Sequence, residues 1–300
     1  MDEPAGFNPP VGVVQRPEPG LRMVLAPNPS PMTFRGTNTY ILGEGDVAVI
    51  DPGPDAPAHL QAILGALAPG ERVSHILITH SHVDHSALAP ALSRATGAPV
   101  LAFGDSSAGQ RPEMARLAGL SGGEGVDRAF RPDATLADDE VLHGAGWSLT
   151  ALWTPGHMAN HLSFAWRDAV FTGDHVMGWA TSMVSPPDGD LAAFMASLEK
   201  LVPRQDRVFY PAHGAPVTAP AARLAGLIAH RRSREAQILQ ALTHGPATPA
   251  ELAARIYTDT APALLPAAAR NVLAHLIDLT ERNLVGPDEI LGSESRFSRR

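Results

Sequence analysis

The sequence contains no cysteine, which excludes disulfide bracing, thiolate nucleophiles and cysteine-ligated iron–sulfur clusters together. Any metal must therefore sit on nitrogen and oxygen ligands. There is no apolar run approaching the roughly 18 residues that a membrane-spanning helix needs, and the mean hydropathy is -0.03. No membrane partner is expected. Positive charge is in deficit: 23 Lys and Arg stand against 31 Asp and Glu, for a net charge of -8. Such a balance gives no general attraction to nucleic acid, whose backbone is bound by neutralising phosphates. The first residues, MDEPAGFNPP, are acidic and proline-rich where a secretory signal is basic and then apolar. A cytoplasmic location is the expectation.

What is present is a globular composition, 44% apolar and 18% charged over 300 residues, long enough for a large layered domain and a smaller one. Residues 1–36 read as an extended, proline-punctuated lead-in. NTYILG and DVAVIDPG then read as strands about a short turn, APAHLQAILGAL as a helix and RVSHILITH as a strand. SALAPALSRATG reads as a helix and PVLAFG as a strand, while 105–130 carries no assignable pattern. DATLADDE, GWSLTALW, HLSFAW, DAVFTG and DRVFYPA continue as strands, with a helix over 189–202 capped by Asp190. Strand halves with helices between them suit two sheets packed face to face with helices outside.

From residue 219 the composition turns to Ala, Leu and Arg and strand propensity nearly vanishes. The expected division is 1–218 and 219–300. Thr248, Pro249 and Glu251 form a capping-box start, Pro266 opens a further helix to about Leu279, and NLVGPDEILG folds as a small hairpin. That order suits a winged helix, and a plain helical cap fits it equally. SESRFSRR reads as a frayed tail.

The chemistry concentrates at THSHVDH, which places three of the chain's 13 histidines and an aspartate in seven positions. Asp51 follows AVI, the cluster follows HILI, His157 follows LWTPG, Asp174 follows VFTG and His213 follows VFYPA, so all stand at strand ends. Loops leaving a shared edge of a layered fold bring such residues together. The count fits two metals. His80, His82 and His157 are assigned to one, Asp84, His85 and His213 to the other, and Asp174 lies between them. Two divalent ions, zinc first and manganese or iron as alternatives, share a bridging water and lower its pKa to give a hydroxide nucleophile. Asp84, Asp174 and His213 are the expected catalytic residues, and Asp51 orients a ligand or the loop beneath. Arg35, His161, Trp179 and Thr181 are candidates for substrate contact, the last two in a wall running from Trp179 to Met183. Arg35 and the Arg231–Arg232 pair are the basic features available to an anionic substrate, and for the pair a solvated surface role is the favoured reading. His59, His143, His230, His244 and His275 stand alone and read as surface or core histidines.

THSHVDH, TPGH, TGD and AHG together resemble, in order and spacing, the metal-binding motifs of the metallo-β-lactamase-fold hydrolases. The resemblance covers about residues 20–217 and implies a four-layer αββα sandwich, of the α+β class, with a dinuclear site on the residues assigned above. Asp51 matches the family's structural aspartate. Ser86 departs from a common glycine, which alters a turn and leaves the ligand set intact. NPSPMTFRGTNTYILG, the helix with HRRSRE and the winged-helix-like segment further resemble the branch that includes the mitochondrial β-lactamase-like endoribonuclease. By that likeness the hydroxide attacks phosphodiester bonds of single-stranded RNA. The alternatives are a thioester hydrolase of the hydroxyacylglutathione hydrolase type, a non-heme iron sulfur dioxygenase, or a metal-free binding protein. Partners therefore run from a small ester, thioester or phosphodiester to RNA, with a homodimer allowed.

Overall fold

A computed structural model describes residues 6–117, 125–288 and 290–300. Seven strands form the first sheet: β1 (Gln15–Glu18), β2 (Leu21–Leu25), β3 (Asn38–Leu42), β4 (Asp46–Ile50), β5 (Arg72–Leu77), β6 (Val100–Ala102) and β7 (Ala134–Thr135). The chain runs antiparallel through β4 and parallel from β4 to β7. The second sheet holds β8 (Val141–Gly144), β9 (Trp147–Trp153), β10 (Leu162–Trp166), β11 (Ala169–Gly173) and β12 (Val208–Pro211), with only the β11–β12 pair parallel. Strands β2, β3, β10 and β11 are buried at every residue. Even their polar members, Arg22, Asn38, Thr39, Ser163 and Thr172, are buried, as in strands covered on both faces.

Leu42, Ile50, Leu149, Phe164, Phe171 and their neighbours fill the space between the sheets. Helices α1 (Pro57–Gly65), α2 (Val83–Ser86) and α3 (Ala89–Thr96) lie on the first sheet's side, where Ile63, Leu88 and Leu92 pack over Val49 and Ile76. After the short α4 (Pro112–Ala115), helices α5 (Leu191–Leu201) and α6 (Pro220–Ala241) cover the second sheet through Phe194, Leu198, Leu224 and Leu227. The result is the αββα sandwich. Asp190 caps α5 by accepting from the Ala193 N–H at 3.2 Å, as its place before an apolar-periodic segment implies.

Farther along α6, Ile238 joins a separate cluster with α7 (Pro249–Ile256) and α8 (Leu265–Glu281). Thr248 and Glu251 make the reciprocal capping box at the start of α7. The helices are followed by β13 (Val285–Pro287), whose partner is β14 (Phe297–Arg299). Thus the mostly helical C-terminal region carries a winged-helix-like hairpin.

Two expectations change here. The hairpin does not close within NLVGPDEILG, and the last residues are not frayed: Phe297 is fully buried and its backbone pairs with Ala247. One large apolar side chain in a polar tail is enough to dock it, because Ala247, Leu252 and Val285 enclose it in the same cluster. The extended lead-in supplies β1 and β2, the edge of the first sheet.

Candidate metal centre

Strands β4 and β5 run parallel, as do β11 and β12, and β9 has the same sense as β11 because both are antiparallel to β10. Their C-terminal ends therefore release Asp51, the 79–85 loop, His157, Asp174 and His213 along one edge of the sandwich. The two sheets are tied together there. Asn38 Nδ2 donates to Pro211 O at 3.1 Å and to Gly214 O at 2.9 Å, and Tyr40 OH donates to Pro211 O at 2.8 Å. The Leu162 N–H donates to Thr79 O at 2.7 Å.

Glycine permits the close approaches that this edge needs. A Cβ on Gly156, whose φ is +139°, would lie 2.3 Å from Phe194 Cα. At Gly173, with φ +49°, it would lie 2.6 Å from His161 Nε2. Neither position admits a side chain without displacing backbone or a buried ring.

The ligand atoms of His80, His82 and His157 lie within 4.8 Å of one another, as do those of Asp84, His85 and His213, and a third group of His80, His85 and Asp174 links the two. Every sequence-assigned ligand is thus brought together. His82 Nδ1 stands 2.9 Å from His80 Nε2 and 3.1 Å from His157 Nε2. Nitrogens held about 2.0–2.1 Å from one tetrahedral ion lie roughly 3.3–3.4 Å apart. The three imidazoles already stand close to that spacing.

The far ring nitrogens are held by acceptors. Asp51 Oδ2 accepts from His85 Nδ1 at 2.9 Å and from Thr79 Oγ1 at 2.7 Å, which leaves Thr79 Oγ1 to accept from His80 Nδ1 at 3.0 Å. Met183 O accepts from His157 Nδ1 at 2.7 Å, and Gly36 O accepts from His213 Nδ1 at 3.2 Å. A proton fixed on Nδ1 leaves the Nε2 lone pair facing the cluster. Four imidazoles present Nε2 in this way and His82 presents Nδ1.

Asp174 faces both groups with different oxygens. Oδ2 is 3.6 Å from His157 Nε2, whereas Oδ1 is 3.3 Å from His213 Nε2 and 3.7 Å from His85 Nε2. Both Asp174 Oδ1 and His85 Nε2 are buried without a hydrogen-bond partner. Buried polar atoms left in this state are costly, and a divalent cation between them satisfies both. The residues present fit the metals that the motif implies.

Burial pushes His82 down to about 3, with His157 adding to the effect, and holds His80 and His161 well below the usual histidine range. Those rings are neutral. Burial opposes charge on His213 as well, but Asp174 and Asp84 outweigh it and raise the imidazole to about 9. Against the same burial, Asp84, Asp51 and Asp174 raise His85. In turn, burial resists ionisation of Asp174 and Asp84, yet the charges of His213 and His85 hold both carboxyls well below their ordinary range. Protons and a cation compete for these atoms, as ligand chemistry requires.

The remaining candidates are spread around the cluster. Trp179 stacks on Phe34 with centroids 5.1 Å apart, Arg35 lies over the Phe34 ring at 4.9 Å, and Thr181 is half-buried farther along the same loop as Trp179. His161 sits beneath the site, accepting from the Asp174 N–H at 3.2 Å and facing Thr154 Oγ1 at 3.0 Å. That placement orients the Asp174 backbone. Arg231 is not available to an anionic substrate: it is buried, donating to Ser182 O and to Asn271 Oδ1. Arg232 is exposed and pairs with Glu199 at 3.4 Å. Sequence reasoning assigned no role to Thr79, although it stands in the motif. It named Met183 only as the end of a substrate wall and had no means of finding the backbone-carbonyl roles of Met183 and Gly36.

The chain matches the metallo-beta-lactamase superfamily over residues 32–213 and the beta-lactamase associated winged helix domain over 248–290. It is 32% identical over 239 residues to an atrochrysone carboxyl ACP thioesterase of Cryptosporiopsis sp., covering 78% of this chain and 66% of that one. A second atrochrysone carboxyl ACP thioesterase, from Paecilomyces divaricatus, is 34% identical over 243 residues, covering 78% and 68%. The chain thus spans about two thirds of the length of these relatives. The crystal structure of a metallo-beta-lactamase family protein from Thermus thermophilus superposes with a TM-score of 0.76 at 26% identity, covering 94% of this chain and 99% of that one.

Proposed function

The chain belongs to the metallo-beta-lactamase superfamily as a metal-dependent hydrolase with an associated winged-helix region, and on that premise we propose that the bond it hydrolyses is an acyl thioester. The observation that carries a two-metal reading is Asp174, whose two oxygens face the two ligand groups separately. We assign His80, His82 and His157 to one ion, Asp84, His85 and His213 to the other, and Asp174 to both. Five imidazoles and two carboxylates suit zinc first, with manganese or iron as alternatives. Two such ions supply a water activated at neutral pH and an electrophile for the acyl oxygen.

The chain's own residues orient and select. His213 Nε2 stands 3.3 Å from both Asp84 Oδ2 and Asp174 Oδ1, so Asp84, Asp174 and His213 surround the place where the two groups meet. Asp51 holds His85 and Thr79 from behind. Asp84, with its side chain 24% exposed, marks the open side. The stacked Phe34 and Trp179, with Arg35 and Thr181 nearby, offer an apolar wall with polar margins to the acyl group.

The thioester is favoured over a phosphodiester by the relatives, which are thioesterases by name. The chain's net charge of -8 also gives RNA no general attraction. The likeness to the endoribonuclease branch rests on sequence motifs alone. We also read the chain as 1–218 carrying the site and 219–300 supporting it. Parallel assays on an acyl-carrier-protein thioester, a glutathione thioester, a nitrophenyl phosphodiester and single-stranded RNA test the assignment. Preferential turnover of a thioester is the expected result, and salt-sensitive cleavage of RNA with no thioester turnover contradicts it.

A further inference from the structure

His157 depends on Met183 for the orientation of its ring, so whatever fixes the Met183 carbonyl also fixes the ligand. The 177–189 segment carrying Met183 has no regular secondary structure. A backbone carbonyl on such a segment orients a ligand only if other contacts immobilise it. Side chains from α6 and α8 make those contacts.

The peptide units flanking Met183 are both engaged. On one side, Arg231 of α6 donates through Nη2 to Ser182 O. On the other, the Val184 N–H donates to Asn271 Oδ1 of α8 at 3.1 Å. Arg231 Nη1 donates to the same Asn271 Oδ1 at 3.0 Å, which closes the two anchors into one unit. The guanidinium also lies over the Phe194 ring, 5.0 Å from its centroid, and Phe194 is the residue against whose backbone Gly156 packs. His157 is therefore supported twice by one arginine, through the turn that precedes it and through the carbonyl that accepts from it.

Arg231 is 3% exposed. Burying a guanidinium requires partners in return: Ser182 and Asn271 take its two Nη groups and the Phe194 face lies against it, while Nε is buried without a partner. A fixed planar fork can hold a carbonyl and an amide oxygen at once, which a lysine ammonium on a flexible stem does less well.

We propose that Arg231 and Asn271 are positioning residues for His157, clamping the peptides on either side of Met183 so that its carbonyl holds the His157 ring toward the ligand group with His80 and His82. The proposal rests on the assignment of His157 as a ligand. It links the C-terminal helices to the metal centre without giving them any contact with substrate.

The test is Co(II) binding to the metal-free full-length protein, followed by absorption spectroscopy and calorimetry, in the wild type and in His157→Ala, Asn271→Ala, Arg231→Met and Arg231→Lys. In Asn271→Ala and Arg231→Met, one of two bound ions weakens by about 10–100-fold, the usual effect of removing a group that orients a ligand. The other ion is unchanged, and the visible spectrum of the affected ion alters. Arg231→Lys retains a donor for Ser182 and recovers part of the loss, which a simple packing defect does not. If the wild type binds two ions and His157→Ala loses one, yet the clamp variants bind both as the wild type does, the clamp is overturned and the ligand assignment stands. If His157→Ala also binds both as the wild type does, the ligand assignment falls and the clamp with it. Should the Arg231 variants fail to fold, Asn271→Ala at the half-buried end of the clamp decides by the same criteria.

Discussion

Asp51 is the residue through which the first sheet holds His85: its Oδ2 accepts from His85 Nδ1 at 2.9 Å while its Oδ1 accepts from the Thr79 N–H at 2.8 Å. Its φ of +49° places it in the left-handed region, which asparagine also tolerates. Asp51→Asn therefore keeps the backbone and removes the charge. It is expected to weaken metal binding at the group containing His85 by about 10–100-fold, read by titrating the apo-protein. Unchanged affinity assigns Asp51 to the turn alone.

Removing metal leaves His85 Nε2 and Asp174 Oδ1 buried without partners. Chelator-treated protein is expected to melt at a lower temperature than protein supplied with zinc. Binding at 100 times the dissociation constant adds about 2.7 kcal/mol to stability, which moves the melting midpoint by several degrees. Superimposable calorimetric scans with and without metal contradict the site.

Acid sensitivity has a source in buried histidines outside the ligand set. Burial pushes His275 down to about 3, with Arg231, His230, Arg282 and Arg234 adding to the effect, and burial pushes His59 down to about 4. The unfolded chain takes up these protons near the ordinary value of about 6.5, whereas the folded protein does not until much lower pH. Stability is then lost as pH falls from about 6.5 through the folded values, by at most about 1.4 kcal/mol per pH unit for each histidine. Both His275 ring nitrogens lack partners. His275→Leu should show a shallower loss in urea midpoint between pH 7 and 5 than the wild type, and parallel slopes count against this account.

The docked tail gives a prediction of the opposite kind, one of packing. Phe297→Ala is expected to cost about 3–5 kcal/mol, the range for truncating a buried phenylalanine, and deletion of 293–300 at least as much. An unshifted chemical-denaturation midpoint returns the tail to the frayed state.

These outcomes also mark what the sequence made legible. The strand ends were readable because β-branched runs stop at Asp51, His80 and Asp174, and strand direction then forces those ends onto one edge. The metal ligands followed from residue type. The Phe297 strand was not readable, since SESRFSRR offers one apolar side chain and no alternation, and only Ala247 and Val285 across the fold give it a place. Arg231 was misread for a related reason. In an Arg-rich helix nothing local distinguishes the arginine that turns inward from its neighbour Arg232, which faces solvent. Met183 and Gly36 act by carbonyl oxygens that every residue possesses, so their side chains carry no sign of the role.

The most direct test is hydrolytic activity toward an acyl thioester measured against metal bound per chain, with elemental analysis at each point of a zinc titration. Two ions per chain are predicted, with activity rising until the second is bound and with Asp174→Ala losing both the second equivalent and turnover. Full activity in metal-free protein, or a plateau at one ion per chain that Asp174→Ala leaves unchanged, contradicts a centre built on two joined groups.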